Sequence, residues 1–158
     1  MNALGKIAAD AGMRLGYHPH FHTLGETREG VARIMEATDP RFIGLIADVA
    51  HLKLGGSDPA EVIRTYGRRL AALHLKDVRH DAYEAVRQSP DTRGSVKWFF
   101  CEIGRGVVDY PAVVASLRAT RFHGWGIVEL DSFEVPAGGP AESIRANRDA
   151  LRKLGFQI

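Results

Sequence analysis

The chain has 158 residues, 45% of them hydrophobic and 25% charged, which suits one folded domain with a buried core and excludes disordered, collagenous and coiled-coil classes. Its 21 Lys plus Arg against 19 Asp plus Glu leave a formal charge of +2. The basic residues are scattered apart from Arg68-Arg69, so the chain carries no electrostatic footprint for nucleic acid or anionic lipid.

In chain order, Leu4, Ile7, Ala8 and Ala11 mark an opening helix that Gly12 is placed to end. Residues 13–17 read as a short strand running into the polar cluster His18-Pro-His-Phe-His22. Thr27 is positioned to cap a helix carrying Val31, Ile34 and Met35 on one face. The apolar run of residues 42–46 is of buried-strand type and stops at Asp48. Asp58-Pro-Ala-Glu61 combines an N-cap, a proline at the first helical position and a capping-box glutamate. Residues 70–73 give a third strand ending at His74, followed by Leu75-Lys76-Asp77. Residues 80–106 read as a long loop with a short helix around Ala82 to Val86 and an aromatic patch at Trp98-Phe-Phe100. Asp109 caps a helix with Val113, Val114 and Leu117, residues 124–128 form a fourth strand ending at Glu129, and a last helix runs through Ile144, Ala150, Leu151 and Leu154 to Gly155.

Strict alternation of apolar strands with amphipathic helices requires parallel strands joined by crossovers. All four strands then point the same way, and ligands in such sheets bind at the carboxyl ends. There the sequence sets His18 or His20, Asp48, His74 and Glu129. Adjacent parallel strands lie about 4.8 Å apart, so two carboxylates and one or two imidazoles can converge as ligands for Mn²⁺, Co²⁺, Zn²⁺ or Mg²⁺. His51, three residues after Asp48, can face the same mouth or the surface; His80 and His123 read as surface residues. The apolar run before each of Asp48, His74 and Glu129 predicts strands closed to water, with Leu45, Leu73 and Val128 on the face that a second sheet wall would cover. Gly104-Arg-Gly106 reads as a turn before the Asp109 cap, with contact to a substrate phosphate as the lesser reading. Cys101, the single cysteine, cannot form an intramolecular disulfide, and residues 1–12 show no secretory pattern; the expectation is a reduced, cytoplasmic protein. The apolar runs fall short of the roughly 18 residues of a spanning helix. A complete eight-unit barrel usually takes about 250 residues and seldom fewer than about 200, so the chain is too short for a whole one.

The segments YHPHFHT (17–23), DVAHLKLGGSDP (48–59), ALHLKDVR (72–79), GRGVVDYPAVV (104–114) and GWGIVELD (124–131) resemble, in that order, the xylose isomerase-like barrel superfamily of sugar and sugar-phosphate isomerases and epimerases, and within it the inosose dehydratase branch. The resemblance implies an α/β fold, a partial (β/α)8 TIM barrel in which residues 13–158 are four parallel units of the second half and residues 1–12 the tail of the preceding helix. It implies a divalent metal, Mn²⁺ foremost, held by Asp48, His74 and Glu129, with His18 of His18-Pro19 at the position where the family usually has a glutamate. His20, His51, Lys76 and Arg79 would contact substrate oxygens, and Glu129 and His51 would carry the acid/base work. The implied chemistry is proton abstraction beside a carbonyl of a sugar, polyol or sugar phosphate, ending in isomerisation, epimerisation or dehydration. A homodimer or a separate N-terminal half is expected as partner. A non-catalytic half-barrel is the competing expectation, and a repair enzyme like endonuclease IV a third that the charge balance disfavours.

Overall fold

The computed structural model describes residues 1–89, 99–130 and 138–158. Among them β1 (Leu15–Tyr17), β2 (Ile43–Asp48), β3 (Leu70–Leu75) and β6 (Trp125–Val128) form one parallel sheet in the order β1-β2-β3-β6. The alternation expected from the sequence is therefore the observed topology: an α/β fold with four parallel strands joined by helical crossovers. Helices α1 (Asn2–Asp10), α2 (Arg28–Glu36), α4 (Pro59–Tyr66), α6 (Tyr110–Ala119) and α7 (Gly139–Leu154) follow the expected pattern, and a six-residue helix α3 (Val49–Leu54) starts directly after Asp48.

Local chemistry sets the helix starts. The side chains of Thr27, Asp58 and Asp109 accept hydrogen bonds from Gly30 N, Ala60 N and Ala112 N, each satisfying an orphan amide of the first turn. Glu61 turns outward to Arg28, 2.9 Å away, in place of the reciprocal bond of a capping box. Leu4 and Ile7 of α1 stand exposed.

The core lies between the sheet and its helices. Leu45, Ala47, Leu73 and Leu75 pack there with Val31, Met35, Ile63, Val113, Leu117 and Leu151, all buried. Each large side chain so buried is worth about 1.5–3 kcal/mol. Leu45 and Leu73 thus face the helices, not an open inner face as expected. Leu45 and Leu73 stand three residues and one residue before Asp48 and His74, so alternation along each strand turns them to the opposite face; a register irregularity between Leu45 and Ile46 leaves Ala71 unpaired across from β2. β6 is also not closed to water: Trp125 is 81% exposed, and Ile127 and Val128 are both 42% exposed. Ala72 pairs with Trp125 and His74 with Ile127, so Trp125 and Ile127 belong to the face opposite the helices.

The amino ends of the strands are tied together by arginines. Arg69 donates to Thr38 Oγ1 (3.0 Å) and Ile43 O (2.8 Å), and Arg14 to Leu70 O (3.1 Å). These spend backbone carbonyls on stability at the end away from the functional mouth.

Residues 80–106 are less of a loop than the sequence implied. Helix α5 (His80–Gln88) occupies the first part, and β4 (Asp77–Val78) pairs antiparallel with β5 (Phe100–Cys101). Local composition could not place that ribbon, because its two strands are separated by more than twenty residues. Trp98 lies outside the described residues. The Gly104–Val108 turn is an anion cradle that the chain fills for itself: Asp77, fully buried, accepts from Val78 N, Gly104 N, Gly106 N and Val108 N at 2.8, 2.9, 3.1 and 2.9 Å. This replaces the substrate-phosphate reading of that turn.

Candidate metal and substrate site

Asp48 ends β2 and begins α3, and its two oxygens divide the work. Oδ1 accepts from Ala50 N (3.0 Å) and His51 N (2.9 Å), holding the helix start. Oδ2 is turned to the mouth, 3.1 Å from His18 Nε2, 3.1 Å from Lys76 Nζ and 3.8 Å from His74 Nδ1. The side chain is fully buried. Burial works to raise its pKa, but the hydrogen bond with His18 and the nearby His51 and Lys76 outweigh it and hold the carboxyl at about 2. Asp48 is therefore a carboxylate at neutral pH.

Pairing of Asp48 with His74 across β2 and β3 puts both side chains on one face. Glu129 follows the last residue of β6, and its amide donates to Leu75 O at 3.2 Å, extending the ladder. Glu129 Oε2 thereby reaches both His74 Nδ1 and Lys76 Nζ at 2.7 Å. Burial would raise the Glu129 pKa, yet the Lys76 and His74 contacts bring it below the ordinary value. Its side chain is 31% exposed, so of the two carboxylates it is the one open to solvent. The ligand atoms of Asp48, His74 and Glu129 lie within 4.8 Å of one another, as do those of His18, Asp48 and His51.

The histidine cluster divides. β1 stops at Tyr17, and His22 takes φ +66° and is exposed, so the alternate-position histidines do not share a strand face. His18 turns into the site, its ring 4.4 Å from that of His74. The exposed His20 accompanies it indirectly, its ring 3.6 Å from that of His51. His51 is buried, and its Nδ1 accepts a 3.2 Å hydrogen bond from Phe21 N. That bond places the ring proton on Nε2. Burial, against the pull of Asp48, pushes the imidazole down to about 3, so His51 is a neutral N–H donor. Arg79 binds its guanidinium to Asp81 at 2.6 Å, at the start of α5. His80 and His123 are exposed, as expected. Cys101 is half-buried, and burial together with Asp77 and Glu102 pushes its thiol up to about 12, an inert setting.

The sequence model of the xylose isomerase-like TIM barrel family matches residues 1–154. The chain belongs to that family. Inosose dehydratase of Geobacillus kaustophilus is 41% identical over 127 residues, which is 79% of this chain and 41% of that protein. Inosose dehydratase of Clostridium tetani is 34% identical over 158 residues, covering 99% of this chain and 53% of its own length. This xylose isomerase-like chain thus spans about half the length of the curated relatives it matches. The IolI protein, solved with a zinc atom bound, matches with a TM-score of 0.76 at 20% identity over 99% of this chain and 55% of that one. A sugar phosphate isomerase/epimerase from Parabacteroides distasonis gives 0.70 at 23% identity over 96% and 49%. Both likenesses establish the barrel fold. No helix among the described residues is long and apolar enough to cross a membrane.

Sequence reasoning missed the part played by Phe100 and named Lys76 only as a contact to substrate oxygens. Phe100, on β5, lies beneath the site, its ring centroid 4.8 Å from Lys76 Nζ and 5.1 Å from the His51 ring. Lys76 itself sits between the carboxylates. The aromatic patch signalled Phe100 as apolar, but only the β4–β5 ribbon brings it under the mouth.

Proposed function

We propose that these four units form the metal-bearing side of a sugar or polyol isomerase, epimerase or dehydratase, with an inosose-type cyclic ketone as the substrate class its named relatives favour. The observation that carries this reading is the convergence of Asp48 Oδ2, His74 Nδ1 and Glu129 Oε2 within 4.8 Å. Two carboxylates, with His74 and His18 as imidazoles, are a donor set suited to Mn²⁺, Co²⁺, Zn²⁺ or Mg²⁺. A divalent ion there supplies Lewis acidity toward adjacent carbonyl and hydroxyl oxygens.

The chain's own groups do the rest. Glu129, partly exposed, takes the proton from the carbon beside the carbonyl. His51, neutral with its proton on Nε2, donates to a substrate oxygen. Lys76 stabilises negative charge on the enediolate, and His20 and Arg79 contact the outer hydroxyls. Return of the proton to another carbon or face gives isomerisation or epimerisation; loss of a β-hydroxyl gives dehydration. The exposed Trp125 and Ile127 support a second wall, from another copy or from further barrel units, over the inner face. Light scattering across a concentration series tests that wall.

Metal analysis of the purified chain beside Asp48→Ala and His74→Ala tests the core of the proposal. The variants are expected to lose most of the bound metal; equal content in all three refutes the ligand set.

A further inference from the structure

Lys76 occupies an unusual place for a cation beside a set of metal ligands. Its ammonium contacts the same two oxygens, Asp48 Oδ2 at 3.1 Å and Glu129 Oε2 at 2.7 Å, that the proposed function gives to a divalent ion. It is also held there. The side chain is fully buried, Nζ lies over the Phe100 ring, and Tyr110 Oη donates to the Lys76 carbonyl at 3.0 Å. Its place beside these oxygens is thus set by the fold and not by a mobile surface chain.

A divalent ion at these two oxygens would stand directly beside the Lys76 ammonium. Two cations a few ångströms apart in a partly buried site repel strongly. Proton loss from substrate would place a negative charge between the two cations, and donors fixed in advance toward developing charge are what stabilise such an anion.

We infer that Lys76 competes with the divalent metal for Asp48 Oδ2 and Glu129 Oε2, lowering metal affinity in order to hold one positive charge in reserve for the anion formed on the substrate. The inference rests on the proposed metal site, and its test separates the two.

Zn²⁺ and Mn²⁺ binding to the full chain is measured by titration calorimetry for the wild type, Lys76→Met and Lys76→Gln, with folding checked by circular dichroism. Both variants are expected to bind each metal about tenfold or more tightly, as removal of a like charge at this range implies. Their metal-free forms should melt below the wild type, with the gap narrowing when metal is added. Metal binding by the wild type with affinity unchanged or weakened in the folded variants overturns the inference about Lys76 and leaves the metal site standing. Absence of metal binding in all three proteins overturns the metal site, and this inference with it.

Discussion

Asp77 offers the sharpest test of how the mouth is built. Its carboxylate, immediately after Lys76, accepts four backbone N–H groups and ties the end of β3 to the turn before α6. In Asp77→Ala the Val78 and Val108 amides, both buried, lose their acceptor, and those of Gly104 and Gly106 lose theirs at part-buried positions. A buried donor left unsatisfied costs about 1–3 kcal/mol, so the two buried amides and a smaller share from the glycines predict a loss of about 3–5 kcal/mol. That is a large part of the 5–15 kcal/mol typical of a domain. Asp81→Ala removes the same charge four residues on, from a surface pair with Arg79, and should cost less than about 1 kcal/mol. Urea unfolding followed by circular dichroism gives both values, and amide hydrogen exchange should show lost protection at Gly104, Gly106 and Val108. A loss under about 1 kcal/mol for Asp77→Ala, with those amides still protected, refutes the claim that one carboxylate organises the turn.

If Glu129 moves the substrate proton, Glu129→Gln should slow exchange of that proton with solvent by about 10²-fold or more; unchanged exchange by NMR in deuterated water reassigns the role to the histidines. Cys101, its thiol held near pKa 12, should react with iodoacetamide at pH 8 far more slowly than free cysteine, and gain rate only as pH approaches 12 or the fold is lost. Reaction at the free-thiol rate contradicts its burial. Gly106→Ala drives a Cβ into Val78 O and sets it 2.5 Å from Asp77 Oδ1, so it should destabilise the same turn as Asp77→Ala, and the double variant should lose less than the sum of the two. Additive losses in unfolding experiments show the two positions to be independent.

The sequence by itself determined the parallel α/β topology, because alternating apolar strands and amphipathic helices admit few other connections. It also determined that Asp48, His74 and Glu129 share one end of the sheet, because each ends an apolar run in strands that all point one way. What it could not determine depends on contacts between distant segments. The extra residue Ala71 between the Leu45–Leu70 and Ile46–Ala72 pairs is an irregularity of pairing that local composition does not encode. The exposure of β6 reflects what packs over it, which its apolar residues do not encode. The tautomer of His51 is set by the amide of Phe21, thirty residues away, and the cradle of Gly104 and Gly106 is filled by Asp77 across a similar gap. Lys76 was named from the family resemblance only as a contact to substrate oxygens. Its seat between Asp48 and Glu129 above Phe100 was decided by the tertiary structure, because a hydrogen bond is fixed by distance in space, and residues 48, 76, 100 and 129 become neighbours only when the sheet and the β4–β5 ribbon close around them.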